Sequence, residues 1–170
     1  MKANSRSEEI LKELQYDFKK FTLSGFVSFI SEKKRREIIT IPWHMPATLF
    51  GLWMSDGEDP KEYIFYRNNV PVIHQIHIQL HELSHFLLGH PTLQINQKML
   101  VNVVERKASL PFGDLLQLRS PKQTESETQA EQLATLIQER VIRNSHVDQL
   151  AKDLSSEEKL ATFLKTMGLS

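Results

Sequence analysis

Residues His81-Glu82-Leu83-Ser84-His85 spell H-E-x-x-H. On a helix, side chains four positions apart stand one turn apart on one face, so two imidazoles at that spacing can reach a single metal ion. Zn²⁺ takes histidine nitrogen at about 2.0–2.1 Å, and a glutamate directly after the first histidine flanks the ion without ligating it. His81 and His85 are therefore read as metal ligands. Glu82 is read as the general base that takes the proton of the metal's water, whose pKa zinc brings down towards about 7. The chemistry indicated is metal-assisted hydrolysis.

A catalytic zinc of this kind needs a third protein ligand and an open fourth position. No cysteine occurs in the chain, so that ligand must be His, Asp or Glu. His90 does not fit, because the extended metzincin pattern sets a glycine three and a histidine six residues beyond the second histidine, where Leu88 and Pro91 stand. His90 is expected only to border the helix end, and His74 to have no part in the chemistry. The better candidate lies in ESETQAEQLATLIQER, from Glu125 onwards. There Glu127 and Glu131 share a helix face, while Ala130, Leu133, Ala134 and Ile137 form a packing side whose small residues permit close helix approach. A crossing at those alanines brings Glu127 to the metal and leaves Glu131 to brace a ligand histidine.

The helix that presents H-E-x-x-H is predicted over about 72–88, started by Pro71 and stopped at Gly89 before Pro91. Ile73, Ile76, Leu80, Leu83 and Leu87 form an apolar stripe expected to face the core. His74, His77, His81 and His85 form a separate stripe. His77, one turn before His81, is expected to orient a ligand or, with Tyr66 or Arg67, to serve as an oxyanion donor.

Upstream, Ile10, Leu11, Leu14, Phe18 and Phe21 predict an amphipathic N-terminal helix over 7–21 with Ser7 as its cap. The charge run from Glu32 to Arg36 reads as a solvated helix end or turn. Short runs rich in β-branched and aromatic residues, broken by Pro46 and Asp56-Gly57-Glu58-Asp59-Pro60, predict strands near 37–43, 48–54 and 62–67 in a small antiparallel sheet of about three strands. The third-ligand helix is expected over about 125–142 and a C-terminal helix over about 155–167. The fold class is α+β, with the sheet packed on helices including the H-E-x-x-H helix. A length of 170 residues suits a single domain, 1–170.

Lysine plus arginine and aspartate plus glutamate number 21 each, which removes the electrostatic argument for nucleic acid or an anionic membrane as a partner. The N-terminus lacks the apolar core of a secretory signal, and no apolar run is long enough to span a bilayer. A soluble, cytoplasmic protein is expected.

Together, HELSHFLLGH, the YIFYRN and HQIHIQL segments leading into it, and ETQAEQLA with its E-x-x-A-x-x-x-A spacing resemble the ImmA/IrrE-like metallopeptidases. The resemblance covers roughly residues 35–140. It implies a zincin-like domain with one Zn²⁺ per chain, bound by His81, His85 and Glu127, with Glu82 as general base. Gln129 stands where the family frequently has an acidic residue, which leaves Glu125 as an alternative ligand. The activity implied is cytoplasmic endopeptidase cleavage of an Xre-type helix-turn-helix repressor, in a regulatory, mobile-element, toxin–antitoxin or stress-response setting. Its substrate strand is expected to pair with the Tyr63–Arg67 strand. Two alternatives stand beside it: a metal-containing module that grips a repressor without cutting it, and a metal-free helical interaction protein.

Overall fold

The computed structural model describes residues 2–45, 47–105 and 121–154, with side chains over 5–45, 47–105 and 124–145. Along the chain run α1 (Lys2–Leu14), a 3-10 turn (Phe18–Lys20), α2 (Leu23–Lys34), β1 (Glu37–Trp43), β2 (Gly51–Asp56), β3 (Lys61–Arg67), α3 (Val72–Leu88), β4 (Leu93–Ile95), α4 (Gln97–Val104) and α5 (Pro121–Leu154). The fold is α+β. No helix among the described residues is long and apolar enough to cross a membrane.

The sheet departs from expectation: it is four-stranded and mixed, in the order β1-β3-β2-β4. β2 and β3 form an antiparallel hairpin, whereas β1 runs parallel to β3 and β4 parallel to β2. The connection from β2 to β3, Gly57–Pro60, is shorter than that from β1 to β2. There the Asp56 carboxylate accepts the backbone N–H groups of Glu58 and Asp59 at 2.8 and 2.9 Å, locking the hairpin. The longer passage from β1 to β2 lets β3 insert between them. β3 is therefore an interior strand with partners on both sides, and the Tyr63–Arg67 strand has no free edge for a substrate.

Helix boundaries also shift. α1 ends at Leu14, followed by Gln15 at φ 54°, and the Asp17 side chain caps the 3-10 turn, so the single helix expected over 7–21 is broken. Ser7 is buried inside α1 and is not its cap. α5 is much longer than the 125–142 predicted. The C-terminal helix expected over 155–167 lies outside the described residues.

The sheet has an apolar layer on each face. Towards α3 and α5, Ile38, Trp53 and Ile64 join Leu80, Leu83, Leu87, Leu133, Ala134 and Ile137. On the other face Leu52, Met54, Tyr63 and Phe65 pack with Ile95 and Val103. Between the strands Glu62, only 2 % exposed, takes the Trp53 indole N–H at 2.6 Å and the Ser55 hydroxyl at 2.9 Å and pairs with Arg36. A buried carboxylate is tolerable only with partners of this kind. Trp53, so anchored, meets Phe86 of α3 edge-on at 5.8 Å, which fixes β2 against the helix that bears the histidines.

Candidate metal centre

α3 spans the residues predicted for it. Pro71 is its N-cap, and Gly89 ends it at φ 69°, a conformation that an L side chain rarely adopts. Leu80, Leu83 and Leu87 are buried as expected, but Ile73 in the first turn is 63 % exposed, and Ile78 and Gln79 are buried on the flank that meets the sheet. Opposite, α5 applies the predicted packing side, and Ala130, Leu133, Ala134 and Ile137 have no exposed surface. The two alanines let α5 approach closely enough to carry Glu127 and Glu131 to the histidine stripe.

Three donor atoms converge. His81 Nε2 lies 3.1 Å from His85 Nε2 and 3.1 Å from Glu127 Oε2, and His85 Nε2 lies 3.6 Å from that same oxygen. Tetrahedral bonds of about 2.0–2.1 Å separate ligand atoms by about 3.3 Å, so the three already stand close to the edges of one coordination tetrahedron. These residues form a group able to hold a metal ion. Glu125, the alternative ligand, instead accepts from the Gln129 amide at 3.3 Å.

The histidines and carboxylates of the group shift one another's charge. The hydrogen bond with His81, and the His85 imidazole beside it, hold the Glu127 carboxyl well below the usual carboxylate range. Burial pulls the His81 imidazole down, but the Glu127 hydrogen bond and the charges of Glu82 and Glu127 outweigh it, and the net displacement is upward. Burial pushes the Glu82 carboxyl up, against the charges of His81 and His85 and the Trp53 backbone N–H. A carboxyl so raised sits nearer the range where a general base works at neutral pH.

One Glu131 oxygen lies 3.1 Å from His81 Nδ1 and 3.1 Å from His77 Nε2. The other ring nitrogen of His77 lies 3.0 Å from Gln138 Oε1. His77, His81 and Glu131 form a second group of potential ligands. His81 cannot serve one ion through Nε2 while keeping a proton on Nδ1 and also ligate there, so the carboxylate's role as hydrogen-bond acceptor fits the first group better.

A cleft of about 560 Å³ opens over the centre, lined by His81, Glu82, His85, Glu127 and Glu131 together with the start of β2. His77 and His74 also line it, whereas Tyr66, opposite Gly51 in the hairpin register, and Arg67 are not among its lining residues. Arg67 lies over the Phe50 ring at 4.5 Å. β4 pairs with β2 only at Met54–Asp56, so the stretch from Leu49 to Trp53 has no strand partner on its cleft side among the described residues. The Trp53 carbonyl there is taken by the Thr92 hydroxyl.

Sequence reasoning missed two features. Gly51, in a strand-like run, marks close approach of backbone to Glu82, and a glycine inside a strand pattern is the signal that could have found it. His90 contacts His85 across the Gly89 turn at 2.8 Å, and nothing in its spacing announced that.

Comparison of the chain with protein-family models, with curated proteins and with solved structures finds no match in any of the three.

Proposed function

We propose that the chain is a zinc-dependent endopeptidase with a zincin-like, ImmA/IrrE-like catalytic domain. The observation that supports this reading best is the near-tetrahedral spacing of His81 Nε2, His85 Nε2 and Glu127 Oε2 beside the half-buried carboxyl of Glu82, at the floor of an open cleft. When bound, zinc supplies a Lewis acid for the scissile carbonyl and an acidified water.

The chain's own groups do the rest. Glu82 takes the proton of the attacking water as the new C–O bond forms, then passes it to the leaving nitrogen as the C–N bond breaks, so the carboxylate is regenerated. Glu131 holds the Nδ1 proton of His81 and thereby keeps the Nε2 lone pair for the metal, and His77 holds Glu131. An extended substrate lies along the unpaired side of Leu49–Leu52, held by backbone hydrogen bonds to Gly51.

The substrate class rests on the sequence resemblance: a cytoplasmic helix-turn-helix repressor of the Xre type. Incubation of the zinc-loaded protein with such a repressor, followed by mass spectrometry, tests it. Glu82→Gln is expected to lower cleavage by about 10²–10⁴-fold while leaving zinc content unchanged. Undiminished cleavage by that variant would remove Glu82 from the mechanism. Tight repressor binding without cleavage by the unaltered chain would favour the non-proteolytic module instead.

A further inference from the structure

Beyond Gly89 the chain doubles back, and a line of polar contacts runs from α5 to the second ligand histidine. Gln129 Nε2 lies 3.3 Å from Glu125 Oε1, Gln129 Oε1 lies 3.1 Å from His90 Nε2, and His90 Nδ1 lies 2.8 Å from His85 Nδ1. This line has a direction. A carboxylate only accepts, so the Gln129 amide presents its NH₂ to Glu125 and its oxygen to His90. The flipped amide would set oxygen against oxygen.

An oxygen at His90 Nε2 calls for the proton on that nitrogen, and a neutral imidazole then has a bare Nδ1. A bare Nδ1 facing His85 accepts the His85 Nδ1 proton. His85 Nε2 is left with its lone pair, and that atom faces His81 and Glu127.

We propose that Glu125, Gln129 and His90 form an oriented hydrogen-bond relay that positions His85, fixing both its ring plane and the tautomer in which Nε2 is free to ligate. The proposal rests on the metal-site reading above. It makes His90 a positioning residue: it does not reach the metal, and it acts through His85. The two ligand histidines then have unlike supports, a carboxylate behind His81 and a neutral imidazole–amide pair behind His85. Without His90, the His85 ring is free to rotate and to take the tautomer with its proton on Nε2, which cannot ligate.

The test has two arms on the full chain. Long-range ¹H–¹⁵N spectra of the metal-free protein should show His90 protonated on Nε2 and His85 on Nδ1; a His90 protonated on Nδ1 instead overturns the relay. In chelator competition with Zn²⁺, His90→Leu should weaken binding by about 10–100-fold. His90→Asn, whose amide oxygen replaces Nδ1 as acceptor, should restore most of the loss, and Gln129→Leu should weaken binding less than His90→Leu does. Unchanged zinc affinity in His90→Leu overturns the proposal, as does equal loss in the Leu and Asn variants, which marks His90 as merely structural. If the unaltered chain binds no zinc, the metal reading fails, and the tautomer arm still decides the relay on its own.

Discussion

Gly51 of β2 lies directly against Glu82 of α3. A Cβ added at Gly51 would stand 2.7 Å from Glu82 Oε1 and 2.7 Å from Ile78 Cγ2, both inside van der Waals contact. The absence of a side chain at this one strand position is what gives the proposed base its place beside the histidines. Ile78, held between sheet and helix, leaves little room for α3 to retreat.

Gly51→Ala is accordingly expected to displace the Glu82 carboxyl while sparing the metal ligands. Misplacement of a reacting group by about 1 Å can lower turnover by about 10²-fold. The check is cleavage rate against zinc content: a variant that loses both equally would show that Gly51 serves the whole site and not Glu82 in particular.

Glu131→Ala should leave His81 without its Nδ1 acceptor. Loss of such a partner typically lowers metal affinity or activity by about 10–100-fold, measurable by chelator competition. Glu127→Ala should be far more damaging, because it removes one of the three proposed ligands. Equal affinities in the two variants would argue against Glu127 as the ligand and Glu131 as the brace.

Ala130→Leu tests the helix crossing. Ala130 has no exposed surface, and a larger side chain at a packed position typically destabilises by about 1–3 kcal/mol. Because Glu127 rides on the same helix, zinc affinity should fall together with the unfolding midpoint. Lost stability with unaltered zinc affinity would show that the ligands do not depend on close approach of α5.

The metal-free and metal-loaded proteins should respond to pH in opposite senses. The raised His81 pKa contributes stability that is complete below its ordinary value near 6.5 and is lost as pH rises through the folded value. The lowered Glu127 pKa contributes stability present above about 4.5 and lost as pH falls through the folded value. The contribution of this pair to the metal-free protein is therefore greatest between about pH 4.5 and 6.5 and declines above it. Zinc must displace the His81 proton, so its affinity should instead rise with pH through that same range and beyond. Unfolding midpoints with and without zinc from pH 5 to 8 provide the check, and parallel curves would contradict the assignment of His81.

Some of this was readable from the residues alone. α3 announced itself through a proline at one end, a glycine at the other and two stripes at unlike angles. Glu127 and Glu131 were legible because four-residue spacing and an alanine-rich flank give a helix an orientation even when its partner is unseen. The strand order was not, since alternation marks a strand without naming its neighbour. Ile73 matched the apolar period yet lies in a first turn that projects past the core. Gly51 and His90 escaped for a related reason: each acts on a residue brought near by tertiary packing or by a chain reversal, and periodicity carries no information about either.

Every side chain that meets the proposed metal or braces a ligand belongs to α3, α5 or the turn after Gly89, and His81 and Glu127 are 46 positions apart. The described part of the intervening chain is tied to the fold, since β4 pairs with β2 and Ile95 and Val103 are buried in the core. Its residues Pro91, Thr92 and Leu93 already form one wall of the cleft. Two packed helices thus carry the candidate ligands, and the segment that joins them supplies part of the cleft wall and, through β4, one edge of the sheet.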